Sequence, residues 1–184
     1  MLPPVPAILL SVRGQPGDPD EISVGWTFVV NGEPPQIGVS LSKEHVANHL
    51  VGRKGEFVLN LPTVDMVQQF DTVDMKTTEV GDKFALSGLT RGVANTVDAP
   101  TVEEAPIQLE CRVVQSVELP PVRTIYLALV TATSVQQGVC DPSGRLIVSK
   151  VPFFGMTAGS GEFYTMGRRV GNIGQTVGRN DIRY

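Results

Sequence analysis

Two long β-prone stretches in the second half of the chain constrain its fold more than any other feature. Ile107–Leu119 and residues 122–135 are rich in valine, isoleucine, threonine and tyrosine, residue types that favour strands. Pro120 and Pro121 separate the two stretches. Because proline lacks the N–H that a strand ladder uses, the pair interrupts the ladder and forces a turn. The pattern therefore predicts two long strands joined by a turn.

Shorter strands are predicted elsewhere along the chain. Each is an apolar or alternating run that ends in a cluster of Gly, Pro, Asn, Asp or Ser, the residues that favour turns. These runs lie at residues 7–12, 22–30, 36–41, 56–60 and 146–148.

Two short segments instead carry apolar side chains at helical spacing. The predicted helices span residues 43–51, with Ser42 as N-cap and Gly52 as the end, and residues 64–70, with Thr63 as N-cap, ahead of a polar loop over residues 71–82. Many strands and only two short helices predict a mainly β barrel or sandwich. No internal repeat or linker divides the sequence, so we predict one domain over residues 1–184.

Charge and composition exclude several classes of protein. The formal net charge of −4 is unsuited to a general nucleic-acid binder. No apolar run approaches the ~20 residues that a membrane-spanning helix needs, and the run at residues 5–10 lacks the basic residues of a signal peptide. Cys111 and Cys140 lie far apart and are expected to be reduced thiols of a cytoplasmic protein, with a single disulfide as the alternative.

Familiar catalytic motifs are missing from the sequence. His45 and His49 are spaced to share a helix face, but the chain has no third histidine, so no metal site is expected. There is no Gly-x-Ser-x-Gly, Cys-x-x-Cys or phosphate-binding Gly-x-x-x-x-Gly-Lys motif. No side chain is therefore assigned a catalytic role.

Six segments form a recognisable series along the chain. They are the opening strand at residues 6–12, Trp26, the Pro-Pro and Ser-ending strand at residues 33–41, Gly-Glu-Phe-Val-Leu-Asn at residues 55–60, Asp-Lys-Phe and Gly-Leu within residues 82–89, and the Glu-x-Pro and Leu-Glu-Cys block within residues 103–111. In this order the segments resemble the flavin reductase-like family that includes flavoredoxin. The resemblance implies an FMN-binding split β-barrel of Greek-key type with short flanking helices.

The resemblance also implies a set of cofactor-binding residues. Trp26 would form an aromatic wall beside the flavin ring. The strand-to-helix junction would hold the phosphate through hydroxyl groups, backbone N–H groups and positive charge. Lys83 would approach the ring, and Asn60 would lie near the ring edge. The complete set is Trp26, Ser40, Ser42, Lys43, His45, Asn60, Lys83, Arg123 and Phe153.

Three positions depart from the family pattern. An asparagine that precedes the tryptophan in flavoredoxin-like members is matched here by Asp20 or Glu21. The family His-Thr at the helix start becomes His45 followed by Val46, so one hydroxyl is lost. Arg123 aligns with a family histidine and could offset the lost phosphate contact by its charge.

The resemblance leads to three functional hypotheses. The first is an FMN-dependent oxidoreductase that passes electrons from NAD(P)H or a protein donor to an acceptor, with FAD as the less favoured flavin. The second is a flavin-free barrel that acts as a cyclase or isomerase on an apolar substrate in specialised metabolism. The third is a carrier that stores flavin without turnover.

A C-terminal arm is predicted over residues 167–184. It carries Arg168, Arg169, Arg179 and Arg183 among glycines, as expected of a flexible or partner-embracing segment. In the family this tail often helps to form a dimer. We therefore expect a homodimer with the ligand near the subunit boundary, and a small-molecule or redox-protein partner.

Overall fold

The structure, a computed structural model, describes residues 3–76 and 81–178. The strands within these residues are β1 (Val5–Pro6), β2 (Leu9–Val12), β3 (Glu21–Val24), β4 (Trp26–Asn31), β5 (Gln36–Ser42), β6 (Glu56–Leu61), β7 (Arg91–Val93), β8 (Pro100–Val102), β9 (Ile107–Leu119), β10 (Arg123–Val135), β11 (Phe154–Met156) and β12 (Phe163–Thr165). The α-helices are α1 (Val46–Lys54), α2 (Val67–Met75) and α3 (Lys83–Ser87).

The main sheet of the described residues curls so that its two edge strands come together at one point. Its antiparallel strands follow the order β3-β2-β6-β9-β10-β5-β4. β3 and β4 stand at opposite ends of this order, yet only Gly25 separates them in sequence. The two edges must therefore meet at Gly25. A Cβ atom at residue 25 would lie 2.8 Å from a methyl group of Leu41. The chain therefore needs a glycine where it passes from β3 to β4.

This architecture confirms the predicted mainly β split barrel. Neighbouring strands that are not consecutive in sequence, such as β2 with β6 and β10 with β5, give the Greek-key connectivity. The two long predicted strands are β9 and β10, paired along their length as an antiparallel hairpin. The predicted strand over residues 22–30 is divided at Gly25 into β3 and β4.

Two apolar clusters flank the wall that β2 forms. One fills the barrel and contains Leu10, Val39, Leu41, Phe57 and Tyr126. The other lies between the sheet and helices α2 and α3, around Phe70, Phe84 and Phe154. Because side chains alternate along a strand, Val39 and Leu41 in the barrel place Ser40 and Ser42 on the outer face of β5.

The first helix begins and ends later than predicted. It spans Val46–Lys54 with His45 at its N-cap, while the Ser42 hydroxyl accepts a hydrogen bond from the Glu44 N–H and so caps a preceding turn. Gly52 lies inside the helix, where a Cβ atom would come within 3.0 Å of the Tyr126 hydroxyl. Gly55, at φ 71°, ends the helix instead.

The second helical region is longer than predicted. A 3₁₀ turn at Val64–Met66 leads into α2, which continues to Met75, so the first part of the predicted loop is helical. Thr63 gives no side-chain cap. Helix α3 was not predicted, although Asp82 at its N-cap and Gly88 at its end are ordinary helix signals. Residues 77–80 of the predicted loop lie outside the described residues.

The predicted strand over residues 146–148 is wrong. Leu146 forms one isolated bridge with Cys140, and Val148–Lys150 is a 3₁₀ turn. Of the predicted arm, residues 167–178 are mostly exposed, and Arg179 and Arg183 lie outside the described residues.

Cys111 and Cys140 are free thiols, and burial raises the pKa of Cys111 to about 12. The helices that the structure describes include none that is long and apolar enough to span a membrane.

Candidate functional site

The predicted site residues of β4, β5 and β10 meet on the outer face of the barrel wall. Trp26 stands opposite Ser40, and Arg123 stands opposite Ser42. Residues directly opposite each other on antiparallel strands project to the same face, so these four side chains line one surface. We call this group, together with His45 at the start of α1, the Trp26 cluster.

Arg123 and Trp26 form the centre of the cluster. The guanidinium carbon of Arg123 lies 4.1 Å from the centre of the Trp26 ring, a cation–π contact. Arg123 also donates to the carbonyl oxygen of Ser40 at 3.4 Å. Trp26 remains 37% exposed, so part of its ring is available to a ligand. No carboxylate of residues 3–76 or 81–178 forms an ion pair with Arg123, which leaves its charge available to an anion.

His45 lies between this surface and β3. Its Nδ1 is 3.0 Å from the hydroxyl oxygen of Ser23. Burial lowers the pKa of His45, and the positive charges of Lys83 and Arg123 lower it further. The nearby carboxylates of Asp74 and Glu21 oppose this shift without reversing it. The imidazole is therefore neutral near pH 7 and can exchange hydrogen bonds without adding charge.

A buried ion pair between Lys83 and Glu21 lies close to His45. The Lys83 ammonium lies 2.9 Å from a carboxylate oxygen of Glu21, and the two side chains are 5% and 3% exposed. Glu21 thus offsets the charge of Lys83 within the protein. This pairing gives a physical role to one of the carboxylates that replace the family asparagine. The other, Asp20, turns away to Arg13 and to the Gly14 N–H.

Lys43 reaches the end of the β9–β10 hairpin rather than the Trp26 ring. Its ammonium forms an ion pair with Glu118, and its backbone N–H donates to the Val122 carbonyl oxygen. Val46, the second departure from the family pattern, is 40% exposed and brings no hydroxyl to the helix start. Ser42 uses its hydroxyl oxygen as acceptor for the Glu44 N–H.

Asn60 is held within the barrel wall, and its place near the ring edge stays a prediction. Its side chain is fully buried, donates to the Leu9 carbonyl oxygen and the Ser11 hydroxyl, and accepts from the Val102 N–H. It therefore ties β2, β6 and β8 together. Phe153 forms a bridge with Thr63 beside the second apolar cluster, and its role as a ligand wall stays a prediction.

Sequence reasoning missed the contact of Ser23 with His45 and the pairing of Glu21 with Lys83. Each of these contacts joins segments that are far apart in the chain, so no local pattern marks it. The described residues contain no group of three or more His, Cys, Asp or Glu side chains arranged for a metal ion. A separate polar depression of about 640 Å³ has Arg13, Asp20, Lys54, Asp82, Arg91 and Asp98 in its lining.

The model of the flavin reductase like domain matches residues 3–147 of the chain. The chain belongs to this family. A curated relative, an uncharacterised protein of Archaeoglobus fulgidus, is 26% identical over 100 residues, which cover 54% of this chain and 56% of the relative. The chain thus matches little more than half of that relative's length.

Solved structures of this family share the fold over nearly the whole chain. Flavoredoxin of Desulfovibrio vulgaris (Miyazaki F) is 25% identical, with a TM-score of 0.86 and coverage of 94% of this chain and 92% of its own. The FMN-binding domain of a flavin reductase-like enzyme from Shewanella baltica is 21% identical. Its TM-score is 0.76, with coverage of 91% of this chain and 88% of its own, and it shows the fold alone.

The Trp26 cluster suits a flat aromatic ligand that carries an anionic group. The exposed part of the Trp26 ring offers an apolar wall. Arg123 offers positive charge, and Ser40, Ser42 and His45 offer polar groups around it. The residues present therefore fit a flavin phosphate.

Proposed function

We propose that the protein binds FMN at the Trp26 cluster and acts as an oxidoreductase of the flavin reductase or flavoredoxin type. The observation that carries this proposal is the Arg123 guanidinium, which lies over the exposed tryptophan and has no carboxylate partner in the described part of the chain. A planar aromatic wall beside an available positive charge matches the two chemically distinct parts of FMN. Family membership and the flavoredoxin-like fold support the same choice.

Bound FMN would supply the hydride and electron transfer, and the protein would bind and orient it. Trp26 packs against the ring system, and Arg123 offsets the phosphate charge. Neutral His45 donates or accepts a hydrogen bond without adding charge to the site. The Glu21–Lys83 pair contributes no net charge, so Arg123 is the main positive group that faces the ligand.

Electron donor, acceptor and assembly are parts of the same proposal. NAD(P)H or a redox protein supplies the electrons, FMN is favoured over FAD, and the protein works in the cytoplasm. We also propose a homodimer with the ligand near the subunit boundary. Exposed apolar side chains on edge strand β4, among them Phe28 and Val29, support it because such a strand is a natural contact surface.

Replacing Arg123 by methionine is expected to weaken FMN binding about tenfold, because a charge-assisted contact to the phosphate is lost. Binding of riboflavin, which has no phosphate, should change little. Flavin absorbance and the fluorescence of the single tryptophan, Trp26, report binding in a titration. Arg112→Met is the matched control, since Arg112 pairs with Glu56 away from the cluster.

The titration also decides between the proposed function and its alternatives. A wild-type protein that binds neither flavin would contradict the proposal. The Glu21–Lys83 pair is the observation that favours a flavin-free cyclase or isomerase, because it removes one cation from phosphate binding. FMN binding without reduction by NADH, NADPH or a redox protein would instead favour a flavin carrier.

A further inference from the structure

Lys83 is the first residue of a helix too short to be stable alone. Helix α3 has 5 residues, and isolated helices of that length do not form in water. Its position must therefore come from contacts at its ends and along its buried face. Asp82 caps it by accepting hydrogen bonds from the N–H groups of Phe84 and Ala85, and the Phe84 ring is buried.

Arg91 on β7 contacts this helix in two ways. Its guanidinium forms an ion pair with the capping carboxylate of Asp82 and lies 4.4 Å from the centre of the Phe84 ring. The same side chain lies 3.7 Å from a carboxylate oxygen of Asp20, the residue just before β3. One side chain thus joins the start of α3 to the start of β3.

Two links join the start of α3 to the start of β3, and the Arg91 contacts form the outer one. Asp20 is followed directly by Glu21, and Asp82 is followed directly by Lys83. Arg91 bridges Asp20 and Asp82, and the buried ion pair joins the residues that follow them, Glu21 and Lys83. The outer link therefore holds together the two chain segments from which Glu21 and Lys83 project.

The inner link belongs to the neighbourhood of the ligand site. Lys83 and Glu21 both lie close enough to His45 to act on its proton affinity. His45 in turn contacts Ser23 on β3 and precedes α1, beside the Trp26 cluster. The position of the Lys83 charge therefore affects the electrostatics of the site.

We propose that Arg91 is a positioning residue, which holds the start of α3 against β3 and so fixes the Lys83 ammonium beside the flavin site. The proposal rests on the proposed function for its ligand. Arg91 does not itself touch the Trp26 cluster in any contact of the described residues, and we expect its effect to pass through Lys83. That expectation makes the proposal testable by a double-mutant cycle.

Arg13 provides a matched control for Arg91. It is comparably exposed, at 41% against 33%, and its guanidinium also pairs with Asp20, at 2.8 Å. Its other contact is Asp98 rather than α3. Arg13→Met therefore removes the same charge from the same carboxylate without releasing the helix.

The experiment measures FMN affinity for the full chain carrying R91M, K83M, both substitutions, or R13M. We expect R91M to weaken binding about fivefold and to add nothing in the K83M background, since coupled residues lose their effect together. R13M should stay within about twofold of wild type. R91K keeps the charge but lacks the planar guanidinium, so it should show most of the loss of FMN affinity expected for R91M. A loss in this milder variant would show that the effect does not come from a misfolded R91M protein.

The titration of His45 followed by NMR provides a readout that needs no flavin. Its midpoint should rise in K83M and in R91M, rise no further in the double variant, and stay unchanged in R13M. An R91M effect of equal size with and without Lys83, in either readout, would overturn the positioning role, as would an R13M effect as large as that of R91M. Absence of FMN binding in wild type would refute the proposed function, and the His45 titration would still decide the role of Arg91.

Discussion

Replacing Glu21 by glutamine is expected to lower the free energy of unfolding by about 3 kcal/mol, because breaking a buried ion pair leaves its partner's charge poorly compensated. The Lys83 ammonium is 5% exposed and has the Glu21 carboxylate 2.9 Å away. A neutral amide preserves the shape of the side chain but removes the charge that offsets the ammonium. Urea unfolding near pH 7 measures the loss.

Two further variants make this result specific. Glu118→Gln removes the partner of Lys43 from an exposed ion pair, and it should cost far less than Glu21→Gln because solvent screens that pair. Glu21→Gln combined with Lys83→Met removes both charges and should recover part of the loss. An E21Q protein as stable as E118Q would contradict a stabilising role for the buried pair.

Replacing Glu110 by glutamine is expected to cost about 2–3 kcal/mol at neutral pH, because hydrogen bonds to a charged acceptor are stronger than those to an amide. The Glu110 carboxylate is fully buried on β9. It accepts hydrogen bonds from the backbone N–H groups and the side chains of Asn95 and Thr96. Glutamine has one acceptor oxygen and would direct an NH₂ group at some of these donors.

The Glu110 contribution should disappear in acid. Burial alone would raise the pKa of Glu110, but the hydrogen bonds from Asn95 and Thr96 outweigh it and lower the pKa below its usual range. A depressed pKa means that the folded protein holds the charged form more strongly, so the stabilisation is complete above about pH 5 and is lost as pH falls through the folded-state pKa. Glu33→Gln, at an exposed position, is the control.

Urea unfolding at several pH values tests this dependence. The difference in unfolding free energy between wild type and E110Q should be constant from neutral pH down to about pH 5 and should shrink below it. A difference that stays constant into strong acid, or that grows there, would contradict the assigned hydrogen bonds.

The sequence was sufficient to predict the fold because its strand signals are local. β9 and β10 are long, β-branched and separated by two prolines, and these features act over neighbouring residues. The helix boundaries were less predictable. A glycine such as Gly52 ordinarily ends a helix. Here its missing side chain leaves room for the Tyr126 hydroxyl from β10, a contact that the local sequence does not indicate.

The position of a site residue could be predicted where it follows from the alternation of side chains along a strand. It could not be predicted where it depends on contacts with residues far away in the sequence. Ser40, Ser42 and Arg123 fall on one face because β5 and β10 pair in register. Asn60 lies at the end of a predicted strand, and the structure buries it between β2 and β8 through partners that no local pattern marks. Likewise, no local pattern pairs Glu21 with Lys83, which the structure joins in one buried ion pair.

A crystal structure of the full chain grown with saturating FMN tests the central claim most directly. We predict electron density for the isoalloxazine ring against Trp26 and for the phosphate in contact with Arg123. Density that places the flavin elsewhere, such as in the polar depression around Arg13 and Lys54, or no flavin density at all, would contradict the claim.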